Sequence, residues 1–236
     1  MICKSIVGKL VISSHYCKPC TKAAITANLT DHVLYCGMIK LISACLLTVA
    51  LLACHSPGKI AAVTTEVAEN QKIFWQAMTE LCGNAYEGTV VAAPATDTVF
   101  KNKKLLMHVR DCDGSKIRIP FVVGDNLSRT WVFTKDDDGL TLKHDHRHRD
   151  GMADSITFYG GKTTNKGTGT VQFFPADHQT TDMLPAAAGN VWWVELVPGR
   201  YFTYNLRRLG TDRLFSIRFD LSKTVPAPNA PWGWQD

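Results

Sequence analysis

Beyond Gly83 the apolar residues recur at every second position. Ile117, Ile119 and Phe121 alternate with Lys116 and Arg118; Trp131 and Phe133 flank Val132; Phe215, Ile217 and Phe219 alternate with Ser216, Arg218 and Asp220. A period of two sends successive side chains to opposite faces, so these segments predict strands with one wet face. Residues 86–91, 105–110, 140–146, 168–173, 191–197 and 201–207 are further candidates, giving about nine strands in all. Asp113-Gly114, Asp138-Gly139 and Pro198-Gly199 stand between neighbouring strands as tight-turn pairs. Before Gly83 the spacing changes. Phe74, Ala77, Met78 and Leu81 fall on one helical face, with Asn70 as the expected N-cap and Gly83 as the stop.

Strands joined mostly by short turns, with a single helix in front, predict a mainly β antiparallel fold. Closure into a barrel removes exposed edges, and a helix ahead of the first strand can plug one end. A lipocalin-like barrel is therefore the expected architecture, with a sandwich as the alternative. Residues 175–190 form the longest gap between strands and predict a loop or short helical lid. Residues 225–236 carry Pro226, Pro228 and Pro231 and cannot be a central strand; Trp232 and Trp234 there are expected to pack back onto the domain.

The pattern is different again upstream. Met38, Ile39 and Lys40 make a short positive start, residues 41–52 are an almost unbroken apolar run, and Leu51-Leu52-Ala53-Cys54 follows. A run of about a dozen residues is too short to cross a bilayer as a helix and has the length of an export-signal core. The tetrapeptide ending at Cys54 resembles the lipobox of bacterial lipoproteins, in which a dedicated peptidase cuts before a cysteine that carries lipid. That resemblance implies a signal peptide over 38–53, a lipidated Cys54 and a membrane anchor. His55 in place of Asp after the cysteine implies the outer membrane, with the domain facing the periplasm. Residues 1–37 are then an extension ahead of a true start at Met38, and Cys17-Lys18-Pro19-Cys20 within it is a lone C-x-x-C without a second pair. Residues 54–70 are small and polar, as in a flexible tether, and 71–236 make one β-rich domain.

Processing changes the charge and the cysteine count. The chain has 26 Lys plus Arg and 21 Asp plus Glu; residues 1–53 take five lysines and one aspartate, leaving a net charge of +1. Such a domain offers no electrostatic case for nucleic acid, so the expected partners are the membrane, through lipid, and a protein or small ligand. Of eight cysteines only Cys54, Cys82 and Cys112 remain. With Cys54 lipidated in an oxidising compartment, Cys82 and Cys112 are expected to pair as a disulfide.

Candidate chemistry is concentrated in Lys143-His144-Asp145-His146-Arg147-His148-Arg149-Asp150-Gly151. On a continuous strand His144, His146 and His148 share a face with Leu140 and Leu142, and three imidazoles are adequate for a divalent metal, with Asp150 or His108 as a fourth ligand. The competing reading makes the tract a solvated strand end in which Asp145, Arg147, Arg149 and Asp150 form ion pairs. A further alternative places the histidines inside a barrel, with one imidazole as a haem ligand and Trp131, Phe133, Tyr204 and Trp193 lining the pocket. Neither G-x-S-x-G, H-E-x-x-H nor a P-loop occurs after Cys54. Gly160-Gly161 and Gly167-Thr168-Gly169 bracket a Lys- and Thr-rich stretch that reads as a loop.

Phe74-Trp75 to Cys82-Gly83, Ser128-Arg129-Thr130-Trp131 and the histidine tract resemble landmarks of secreted and lipid-anchored domains of Gram-negative bacteria over residues 72–234; that resemblance implies no activity. The function expected is a lipid-anchored binding or envelope-maintenance module without catalysis or cofactor. A metal-dependent enzyme centred on His144, His146 and His148 is the alternative.

Overall fold

A computed structural model describes residues 68–235. The signal segment, Cys54 and nearly all of the tether lie outside the described residues. Helix α1 (Glu69–Thr79) comes first, followed by β1 (Ala85–Ala92), β2 (Leu105–His108), β3 (Asp111–Asp113), β4 (Lys116–Val123), β5 (Asn126–Asp136) and β6 (Gly139–His146). Then come β7 (Tyr159–Lys162), β8 (Val171–Pro175), helix α2 (His178–Met183) with a 3-10 turn (Pro185–Ala187), β9 (Asn190–Val197), β10 (Tyr201–Arg208) and β11 (Leu214–Asp220). The expected lid between residues 175 and 190 is thus helical. Helix α1 already begins at Glu69, within the 54–70 stretch that reads as tether.

All eleven strands belong to one antiparallel sheet, which answers the choice between barrel and sandwich. Its order is β7-β6-β5-β4-β2-β1-β11-β10-β9-β8, with β3 paired to β4 beside β2. Chain neighbours are sheet neighbours nearly throughout, so this is an up-and-down barrel that is almost closed. The seam lies between β7 and β8. It is bridged at Gly161 and Ala176, by Asp177 N–H donating to the Gly160 carbonyl at 3.0 Å, and by Thr180 Oγ1, which donates to the same carbonyl at 2.7 Å.

The alternation read from sequence sorts the side chains as expected. Ile117, Ile119 and Phe121 of β4, Trp131 and Phe133 of β5, Trp192, Val194 and Leu196 of β9, and Phe215, Ile217 and Phe219 of β11 are buried in one continuous core. Trp193 has the opposite parity and stacks outside on Phe173, so it is not a lining residue.

Helix α1 closes one end. Phe74 and Met78 are buried almost completely, Trp75 lies under the Lys135 ammonium at 5.3 Å, and Gln71 Nε2 donates to Thr163 Oγ1 at 2.8 Å. Asn70 is not the N-cap: Ala68 takes that position, and the Asn70 amide donates instead to the Gly167 carbonyl at 3.0 Å. Tertiary contact with the β7–β8 loop outweighs the local capping preference.

Two short strands, β3 and β7, were not legible in the sequence, whereas β2 falls within the expected 105–110 segment. β2 and β3 pair with successive parts of β4 and form one broken line bent at Val109 and Arg110, interior at β2, which also pairs with β1, and an edge at β3. The bend accommodates the disulfide: Cys82, just past α1, is bonded to Cys112 of β3, and Gly83 N–H donates to the Val109 carbonyl at 2.7 Å. β7, Tyr159-Gly160-Gly161-Lys162, lies where the two glycines read as the edge of a loop. The tail wraps the outside, with the Arg149 guanidinium 5.3 Å from the Trp232 ring and those of Arg110 and Arg118 within 6 Å of Trp234.

Candidate functional site at the open end of the barrel

The end opposite α1 is open. Inward-facing rows that are apolar lower in the barrel finish there in polar residues. On β5 the row runs Phe133, Trp131, Arg129, and on β10 it runs Phe202, Tyr204, Leu206, Arg208. Pairing places Arg129 opposite His146 of β6, and Arg208 opposite Asn190 of β9. Together with Tyr159 of β7 and Arg213 of the β10–β11 turn, these strands enclose a cavity of about 340 Å³. Its deeper wall includes Trp192, Leu206, Phe215 and Ile217. Wider hollows of about 550 and 640 Å³ run along the 93–104 loop, but exposed loop side chains line them. The open end differs because strand residues, most of them facing inward, make up most of its lining.

The base of the cavity is an aromatic and imidazole layer. Trp131 stacks on Tyr204 at 4.5 Å and on Phe121 at 4.7 Å, and His144 stacks on Tyr159 at 4.7 Å. His144 Nδ1 lies 3.0 Å from the Tyr159 carbonyl, which can only accept, so Nδ1 carries the proton. Nε2 is then the acceptor, and the Tyr204 hydroxyl donates to it at 2.8 Å. Burial drives the His144 pKa down to about 3, so the imidazole is neutral. The Tyr159 hydroxyl, pushed up to about 12 by burial, lies 3.1 Å from His146 Nε2. Phe158, ahead of Tyr159, has a φ of 58°, a left-handed conformation rare for a bulky residue, and is itself exposed.

Three guanidinium groups ring the layer. Arg129 donates through Nη1 to Asn126 Oδ1 at 3.0 Å and lies 5.9 Å from the Phe100 ring. Arg208 donates through Nε to Asn190 Oδ1 at 2.9 Å, and Arg213 lies 5.4 Å from the Phe215 ring. Burial pulls the Arg129 pKa below its usual value, yet a guanidinium remains charged at any physiological pH. Among the described residues none of the three forms an ion pair. Asp154 acts electrostatically on both Tyr159 and His146, and Asp145 acts on His146 as well.

The histidine tract divides. His144 and His146 face inward as their parity requires, but β6 ends at His146, and His148 is exposed. Asp150 is also exposed and accepts from Met152 N–H at 2.9 Å. His108 lies on β2, paired with Ala85. The five candidate ligands are not brought together as one shell, and among the described residues no group of three or more His, Cys, Asp or Glu converges in this way. Of the charged partners, Asp145 and Arg147 pair at 2.8 Å, while Arg149 packs on Trp232 instead. Sequence reasoning missed Arg129, Arg208, Arg213 and Tyr159. The available signal was parity, since Arg129 and Arg208 continue rows of apolar inward residues. Comparison with protein families, curated proteins and solved structures finds no match to the chain.

Proposed function

We propose that this chain is a lipid-anchored protein of the cell envelope whose barrel binds a small ligand of largely apolar character and performs no chemistry on it. The observation that carries the reading is the barrel itself: one end plugged by α1, the other opening into a cavity of about 340 Å³ walled by Trp192, Leu206, Phe215 and Ile217. That size falls within the range of small-molecule sites, about 300–1,000 Å³. The polar chain at its base, from the Tyr159 carbonyl through His144 to Tyr204, is internally satisfied and holds a neutral imidazole. It supplies structure without an activated nucleophile. The address rests on the Leu51-Leu52-Ala53-Cys54 lipobox, and the Cys82–Cys112 pair is what an oxidising compartment permits.

The described residues 68–235 form one compact unit with its own core, so binding is tested on that unit. Decan-1-ol is expected to bind saturably and to shift the emission of Trp192, a shift that Trp192→Phe reduces. Absence of binding by decan-1-ol and by decanoate up to their solubility limits overturns the ligand-binding reading. The anchor is tested in the whole chain: palmitate label on the wild type is expected to disappear with Cys54→Ala, and label retained by that variant overturns the lipobox reading.

A further inference from the structure

We propose that the cavity selects ligands with an anionic head group, gripped at the mouth by Arg129, Arg208 and Arg213, with the apolar tail directed into the barrel towards Trp192 and Ile217. The proposal rests on reading the barrel as a binding module.

Three cations from three separate places, the middle of the sheet on β5, the end of β10 and the β10–β11 turn, converge on one cavity. Chance surface charge does not explain Arg129 or Arg208. Both occupy inward positions, where a charged residue loses hydration and an apolar one would serve the fold better. Where stability governs such a position, the usual solution is a carboxylate partner. Here the partners are neutral. Asn126 Oδ1 and Asn190 Oδ1 each take one guanidinium N–H, which fixes the orientation of the side chain and leaves its charge uncompensated.

The guanidinium carbons of Arg129 and Arg213 lie 5.9 and 5.4 Å from the rings of Phe100 and Phe215. Aromatic support of this kind positions the groups without using up their N–H donors. Tyr204 cannot serve as the anion's donor, because its only O–H is given to His144. The remaining guanidinium N–H groups are thus the donors available, and they suit the paired oxygens of a carboxylate or phosphate. Behind them the wall is aromatic and aliphatic, which excludes a fully polar anion and selects an amphiphile.

Isothermal titration of the barrel unit with decanoate, decyl phosphate, decan-1-ol and decyltrimethylammonium tests this. Both anions are expected to bind at least about tenfold tighter than the alcohol, the size of one charge-assisted contact, and to weaken as salt is raised. Whichever anion is tighter identifies the head group as carboxylate or phosphate and supports the proposal either way. Arg208→Gln and Arg129→Gln are each expected to weaken decanoate about tenfold while leaving decan-1-ol unchanged. Arg213→Gln, on an exposed turn and away from the core, repeats the test should an inward variant fail to fold. Equal affinity for decanoate and decan-1-ol, or preference for the cation, overturns the head-group proposal and leaves the binding module standing. Failure of all four ligands overturns both.

Discussion

The hydroxyl of Tyr204 donates to Nε2 of His144 at 2.8 Å, and that bond requires His144 to be neutral. Protonating His144 would force the Tyr204 hydroxyl to turn and accept from Nε2–H, leaving its own proton without the His144 acceptor. Burial alone already disfavours the imidazolium, which places its pKa near 3 in the fold against about 6.5 in the unfolded chain. Below about pH 6.5 the unfolded state takes up a proton that the native state refuses, so stability contributed by His144 is complete above that pH and is lost as pH falls. The slope for one such group is about 1.4 kcal/mol per pH unit. His144→Gln keeps a donor and an acceptor in place but does not titrate. Urea denaturation from about pH 6 to about pH 4 should therefore show a shallower loss of stability in the variant. Equal slopes would mean that His144 is not buried neutral.

Period-two patterning made the long strands legible because one face of each is core and the other is water. It failed where that contrast is missing. Asp111-Cys112-Asp113 carries no apolar alternation, and in Tyr159-Gly160-Gly161-Lys162 only the tyrosine has a large inward side chain. The histidine tract was legible as far as His146 and not beyond, because strand pairing stops there and His148 turns out to solvent. The arginines of the mouth were hidden by the same rule. A charged residue reads as a wet-face residue, and only its parity with Trp131 or Leu206 reveals that it faces inward.

The Cys82–Cys112 disulfide closes a loop of 30 residues that contains β1 and β2 and ties the end of α1 to the bent edge at β3. Chain entropy gives such a cross-link about 3–4 kcal/mol. A Cys82→Ala, Cys112→Ala chain is expected to lose that much in chemical denaturation. Alkylation of the unreduced protein should modify neither cysteine, and modification of both would show that the pair is not bonded.

Helix α1 stabilises the barrel through one face. Phe74 is fully buried, whereas the adjacent Ile73 is half exposed. Phe74→Ala should cost about 3–5 kcal/mol, since it opens a cavity where the helix meets the core. Ile73→Ala should cost well under about 1 kcal/mol. Comparable losses from the two, measured by thermal or urea unfolding, would mean that the helix does not seat on Phe74.

Barrel closure depends on Gly161. A Cβ added there would clash with the Pro175 carbonyl oxygen, a backbone atom of β8. No side-chain adjustment can relieve that contact, so Gly161→Ala must push β7 away from β8 and break the Gly161–Ala176 bridge. The displacement would also separate Gly160 from Asp177 N–H and Thr180 Oγ1, which seal the same seam. Overpacking of this kind costs about 3 kcal/mol, or more where backbone must move. Gly114→Ala is the matched control, because nothing lies within 4 Å of its added Cβ. Gly161→Ala is expected to destabilise the barrel strongly in urea and to speed hydrogen exchange at Ala176 and Asp177, with Gly114→Ala close to wild type. Should Gly161→Ala match wild type in both measurements, the sheet is open between β7 and β8 and the cavity is a cleft with a free side.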